Sequence, residues 1–406
     1  MGWSLALSSH SSRVIALAAV CSLGGVLLPL GASAEESPTP DHFRVGGALR
    51  FNYFVKSWEG QESNRQRWGD VAFDTFRVNA DGRLSQMLLS AEYRFYAGYS
   101  MLHHGYVGYA FSESTQLQFG VHRAPFGLQP YASHNWFFGL PYYLGFEDDH
   151  DLGLMLVHER GPWNLQVAFY KNDEGSFTGR STASARYSYD VVPVSSTNPV
   201  EAYLGVDQAN SETNQLNARA AYTFTHAVGF TTQLGASLQA GQLYNAVTGR
   251  SGLRGAAAVH LEGDYGRWNV KLQALHYAFR PANPEGSDNG FVTMGAYDAP
   301  YKVAGQGTVV AAGVSYGIPL TSWGPITRIS FHEDFSLLKK TRAGYADSYQ
   351  NALGSLITAG PVYTYVDVVT GKNQPWIGAN YGDALAEGSS TAPWEMRFNV
   401  NVGYYF

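Results

Sequence analysis

The stretch "RFNVNVGYYF", residues 397–406, decides the fold. Phe398, Val400, Val402, Tyr404 and Phe406 occupy every second position. Between them fall Arg397, Asn399, Asn401, Gly403 and Tyr405, which are mostly polar or small. A period of two marks a strand with one apolar and one wet face, because successive side chains of a strand point to opposite sides. The last residues of a water-soluble chain more usually fray. Here the apolar face runs to the terminal aromatic, so that face needs something to touch.

The same alternation recurs along the chain. "FRVGGALRFNYFV" sets Phe43, Val45, Leu49, Phe51, Tyr53 and Val55 against Arg44, Arg50 and Asn52. "SQMLLSAEYRFYA" sets Met87, Leu89, Ala91, Tyr93 and Phe95 against Gln86, Ser90, Glu92 and Arg94. "QLNARAAYTF", "FTTQLGASLQAG", "LRGAAAVHLE" and "ITRISFHEDF" behave alike. Short links (81–83, 112–114, 159–162, 225–229, 264–266, 317–325, 359–361) alternate with longer ones, of which 56–70, 123–150, 171–213, 281–307 and 370–393 are long and polar. Asp81-Gly82 in the first short link reads as a hairpin turn.

The sum is about sixteen strands, an even number, as in an all-β transmembrane antiparallel barrel. With 45 Gly, 27 Tyr and 22 Phe and only 15% charged residues, the composition suits a barrel whose outer face meets lipid. A soluble sandwich would alternate too, but its polar face would not carry so many arginines among Gly, Ser, Asn and Gln. Closure leaves no unpaired edge in lipid, so the last strand should pair with the first near Phe43.

At the other end, Val14 to Leu30 is apolar and Ala32-Ser33-Ala34 reads as a peptidase site, so residues 1–34 are expected to be a cleaved signal peptide. A short periplasmic segment, 35–42, and a barrel domain, 43–406, should follow. Cys21 is the only cysteine, so disulfides cannot hold the exported part together. Loss of Arg13 with the leader leaves 26 basic against 33 acidic residues, a net charge of −7, which argues against a nucleic-acid partner.

Little catalytic chemistry is legible. "GVSYG" (313–317) matches the G-x-S-x-G elbow, but Ser315 sits inside an alternating strand with no helix after it. An outer-membrane hydrolase is therefore the weakest reading, and no catalytic residue is expected. His103-His104 should point to opposite faces of a strand and so not share a metal ion. The acidic run Glu147, Asp148, Asp149 and Asp151 lacks EF-hand spacing. No cofactor or metal is expected.

The third long loop is the informative one. A sixteen-stranded barrel is too wide for side chains of the wall alone to fill. The aromatic run 136–146 argues against disorder and for a loop folded inward as a constriction. Its candidate residues are Arg123, Tyr131, His134, Trp136, Tyr142, Glu147, Asp148 and Asp149. On the wall, alternation sends Arg44, Arg50, Arg77, Arg94, Arg219, Arg254, Lys271, Arg328 and Arg397 into the lumen, with Glu92, Glu262 and Asp334 beside them. They line an anion-attracting pore or form salt-bridged ladders. Glu333 falls on the lipid face.

"FRVNADGRL", "YVGYAFS", "LQFGVHRAPFGL" and "ITAGPVYTYVDVVTGKNQPW" resemble the phosphate-selective porin O and P family of Gram-negative outer membranes. The clearest matches are Gly120 to Gly127 (Gly-x-x-x-x-Pro-Phe-Gly) and terminal Phe406, which resembles the aromatic read by the barrel-assembly machinery. The resemblance implies a sixteen-stranded trimeric passive channel and does not establish phosphate as its substrate; the lumen cations add a lean towards anions, phosphate among them, in a pore for small hydrophilic solutes. A channel specific for sugars or small organic acids is the alternative.

Overall fold

A computed structural model describes residues 41–406. The expected signal peptide, and all but the last two residues of the 35–42 segment, lie outside the described residues. Sixteen antiparallel strands close into a barrel, each hydrogen-bonded to its neighbours in sequence, from His42–Lys56 round to Glu395–Tyr405. Outward positions hold Phe51, Leu154, Leu238, Val259 and Tyr404, all exposed, while inward neighbours such as Arg50, Asn52, Asn217 and Asn401 are buried. No described helix is long and apolar enough to cross a membrane. The strands supply the apolar girdle instead.

Closure falls where Ala48 faces Tyr405 and Lys56 faces Arg397. Gly47 and Phe406 exchange two backbone bonds, with N–H of Gly47 on Phe406 O at 2.9 Å and N–H of Phe406 on Gly47 O at 3.1 Å. A Cβ on Gly47 would lie 2.8 Å from Phe406 Cζ, so this glycine makes room for the terminal ring. The seam therefore ends at Gly47 rather than at Phe43, because the first strand overhangs the last. Glu333 is exposed on the outer face as read from the pattern.

One turn is not where the dipeptide signal put it. Asp81 and Gly82 lie inside the strand Asp70–Leu84, and the reversal occurs at Ser85-Gln86, with Ser85 at φ 55. Gly82 faces the Phe43 ring, where a Cβ would come within 2.9 Å. Its small size serves cross-strand packing, not a turn.

The stretches 171–213 and 281–307, read as polar links, contribute a second, three-stranded sheet of Asp190–Val191, Phe291–Ala296 and Ala299–Ala304. Nearly every residue in it is buried. Its Val191, Met294 and Tyr301 pack with Leu140, Leu144 and Phe146 of the third loop against Leu275, Tyr277 and Phe279 of the wall. The barrel interior is thus divided. Along the strands from Phe230 to Lys340 it is filled by an apolar core, and the wall opposite presents arginines inward.

Deleting Phe406 removes both closing bonds and the ring over Gly47. At about 1 kcal/mol per bond, plus the lost ring packing, the end of the seam should weaken. The fraction of protein running as the unboiled, compact band in detergent gels should fall. A normal compact band would show that closure does not depend on this residue.

Candidate functional site

The third long loop, 124–149, does turn inward, and its anchors are polar. Asp334, on the strand Ile326–Lys340, accepts the backbone N–H of His134 (2.8 Å) and Asn135 (3.1 Å) and the Asn135 side-chain amide (2.8 Å). Its other oxygen meets His134 Nδ1 at 2.8 Å, and His134 Nε2 reaches Asn269 at 2.7 Å. Lys271 donates to the carbonyls of Tyr131 (3.0 Å) and Ser133 (3.2 Å). Arg219 donates to Gly127 O at 2.8 Å. Gln273 and Ser237 take the N–H groups of Leu128 and Gly127. Loop backbone that would otherwise be buried unpaired is satisfied by the wall at each step.

Between this loop and the opposite wall lies a cavity of about 420 Å³. Arg50, Arg77, Arg94 and Arg397 line it, and Asp74 is the one acid in the lining. Arg50 pairs with Asp74 at 2.8 Å; Arg94 and Arg77 share Glu92 at 2.5 and 3.5 Å. Four arginines against Asp74 and Glu92 leave two positive charges. Among the described residues, Arg397 hydrogen-bonds only the neutral Asn399. Each guanidinium also lies over a ring: Arg50 on Trp136 (4.2 Å), Arg94 on Tyr187 (4.5 Å), Arg397 on Phe137 (4.8 Å) and Arg77 on Tyr405 (5.0 Å). Stacking fixes the plane of the group without neutralising it.

The other wall cations sit elsewhere. Arg219 and Lys271 hold the loop. Arg254 is buried beside Glu212, with Phe279 beneath it. Arg328 and Arg44 are exposed near the short-turn rim. Among the loop residues, Tyr131, Trp136 and Tyr142 line the cavity, and His134 is an anchor. The acidic run does not line it. Glu147, Asp148, Asp149 and Asp151 are all at most 4% exposed. Burial pushes the Glu147 carboxyl up to about 8, offset in part by the N–H of Ala132. Burial would raise Asp148 too, but Arg123, at 2.7 and 2.8 Å, holds it well below the usual carboxylate range. Tyr131 and Tyr187 donate to its other oxygen.

Two sequence expectations need correction. His103 and His104 do not point to opposite faces. A bulge where Glu92 pairs His104 and Tyr93 pairs Leu102 inserts His103 as an extra residue. Both rings turn inward, their Nδ1 atoms 2.7 Å apart, and gather with His150. Glu147, Asp148 and Asp149, expected in the constriction, are buried and lie outside the cavity lining. Ser315 sits in the strand Gln306–Trp323 opposite His332, whose Nε2 meets Asp367 at 2.8 Å. No hydrogen bond joins Ser315 to His332 among the described residues, and Asp367 is engaged by the backbone of Trp136.

The sequence reading missed Tyr96, Tyr99, Tyr187, Tyr189, Tyr297 and Trp376, which also line the cavity from four other loops. A signal existed in "ARYSYD" (185–190), where tyrosines alternate with small and polar residues inside a supposedly irregular link.

Against known proteins the likeness is one of fold. No family model and no curated protein matches the sequence. Among solved structures, OmpT of Vibrio cholerae in its trimer form has a TM-score of 0.54 at 11% identity, over 91% of this chain and 100% of that one. The outer-membrane channel DcaP of Acinetobacter baumannii gives 0.53 at 13% identity, over 90% and 97%. An anion-selective porin from Comamonas acidovorans gives 0.53 at 9%, over 90% and 100%. The chain has a porin-like barrel fold.

Asp334→Ala should free the loop. Removing one partner of a buried charged cluster costs about 3–5 kcal/mol, drawn here from loop docking rather than from barrel hydrogen bonds. Single-channel records should show higher and noisier conductance from a barrel that still migrates as the compact band. Wild-type conductance would show that the loop does not depend on this carboxylate.

Proposed function

We propose that this chain is a passive outer-membrane channel for small hydrophilic solutes with a preference for anions, phosphate among them. The observation that supports it most is the lining of the 420 Å³ cavity, where four arginines face one acid. The chain's net charge is −6, which alone would favour cations. Exposed loop charges act through water, however, where the Debye length is about 8 Å at physiological salt. An ion in the narrow part lies closer to the guanidinium groups, between low-dielectric walls. The acidic run Glu147 to Asp151 does not offset them, since it is buried away from the cavity lining.

The outer membrane as location, a cleaved leader, recognition of Phe406 by the assembly machinery and a homotrimeric state complete the proposal. They are supported by the sequence pattern, the resemblance to the phosphate-selective porin O and P family and the fold shared with outer-membrane proteins. A second reading, small organic acids carrying a ring, is favoured by Trp136, Phe138, Tyr142 and Tyr187 beside the arginines. A carboxylate would meet guanidinium while the ring slides over aromatic faces.

The test is conductance in a planar bilayer with Arg50, Arg94 and Arg397 changed together to Gln. The triple variant should shift the reversal potential in a potassium chloride gradient towards the cation value. Loss of Arg50 and Arg94 also leaves Asp74 and Glu92 less compensated, which adds to the shift. An unchanged reversal potential would remove these arginines from the ion path.

A further inference from the structure

Behind the constriction lies a buried acidic cluster that the channel reading does not use. Asp149 ends the inward loop, Asp151 is the second residue of the strand His150–Arg160, and Asp190 opens the short strand Asp190–Val191. Two separate segments, 149–151 and the strand at 190, thus bring three carboxylate oxygens to within 4.8 Å of one another. The residues are 4%, 1% and 1% exposed. In each, Oδ1 has no hydrogen-bond partner.

A second, independent group points the same way. Gln215, on the strand Asn210–Ala227, is 2% exposed and donates from Nε2 to Asp151 Oδ2 at 2.9 Å. That bond places the amide beside the cluster, and its carbonyl oxygen Oε1 is also buried without a partner. An amide carbonyl oxygen is a neutral oxygen donor of the kind calcium takes beside carboxylates.

The surrounding charges do not balance. Arg186 pairs with Asp190 (2.9 Å), Asp173 (2.8 Å) and Glu174 (3.8 Å), and Arg254 pairs with Glu212. Two arginines therefore serve four carboxylates before Asp149 and Asp151 are counted. Neither of those two has a Lys, Arg or His nitrogen within 4.0 Å among the described residues. Arg254 acts on both from farther off and Arg186 on Asp151, but each arginine already has carboxylate partners; buried carboxylates this close repel one another.

We propose that Asp149, Asp151 and Asp190, with the carbonyl oxygen of Gln215, form a calcium site that ties the base of the inward loop to the segment 174–209 and to the barrel wall. All four donors are oxygen, which selects a hard cation over zinc or copper. Calcium accepts six to eight oxygens in irregular arrangements, whereas magnesium keeps several waters, for which so buried a site is ill suited. The ion supplies the positive charge that the sequence omits and joins three chain segments at the root of the constriction.

The test is calorimetric titration of calcium chloride into the detergent-purified full barrel after stripping with a chelator. One calcium per chain should bind, magnesium should bind more weakly, and calcium should raise the unfolding temperature. Asp190→Asn, nearly equal in size, should weaken binding about tenfold or more and abolish the thermal shift; Asp151→Asn should do the same if the first variant fails to assemble. Stripped wild-type barrel that takes up no calcium would overturn the proposal. So would variants that bind it as the wild type does, since the ion would then sit elsewhere.

Discussion

Asp334 accepting four bonds from His134 and Asn135 is the contact on which the interior depends. A barrel of this girth encloses a water channel unless something crosses it. A loop can cross only if its backbone groups find partners. One carboxylate on the far wall supplies a cluster of them at the point where the loop turns. From there the loop carries Trp136 and Phe137 up to the opposing arginines and drops Leu140, Leu144 and Phe146 into the apolar core.

The result is a division of labour around the wall. Strands from Phe230 to Lys340 present apolar side chains inward as well as outward, since Leu243, Ala256, Leu275 and Val309 are buried under the loops. Strands near the seam keep polar inward faces, and their arginines are left facing the remaining space. The cavity is therefore eccentric, with a cationic wall on one side and an aromatic one on the other. Stacking of guanidinium on indole and phenol rings couples the two sides and fixes both.

The alternation of "RFNVNVGYYF", repeated along the chain, was enough to read the barrel, its strand number and the facing of Arg50, Arg94 and Arg397, because period two survives wherever one face meets lipid. What alternation could not show is which inward residue meets water. Arg254 and Arg219 point inward as read, yet one is buried beside Glu212 and the other holds a loop carbonyl, since tertiary partners decide a charge's role. The Asp81-Gly82 signal misled because glycine there relieves crowding by Phe43. His103 was misassigned because a bulge changes facing without changing residue type. The tyrosines of four loops were hidden in segments whose structure comes from long-range packing alone.

The most direct test places a reporter in the constriction itself. The one cysteine, Cys21, lies within the expected leader, so Trp136→Cys gives a single thiol beneath Arg50. Charged thiol reagents of opposite sign, applied to single channels in a planar bilayer, then compare access of anions and cations to that point. Block of conductance by both reagents, several-fold faster for the anionic one, is the predicted result. Unchanged conductance after modification, or faster block by the cationic reagent, would contradict an arginine-lined ion path beside the inward loop.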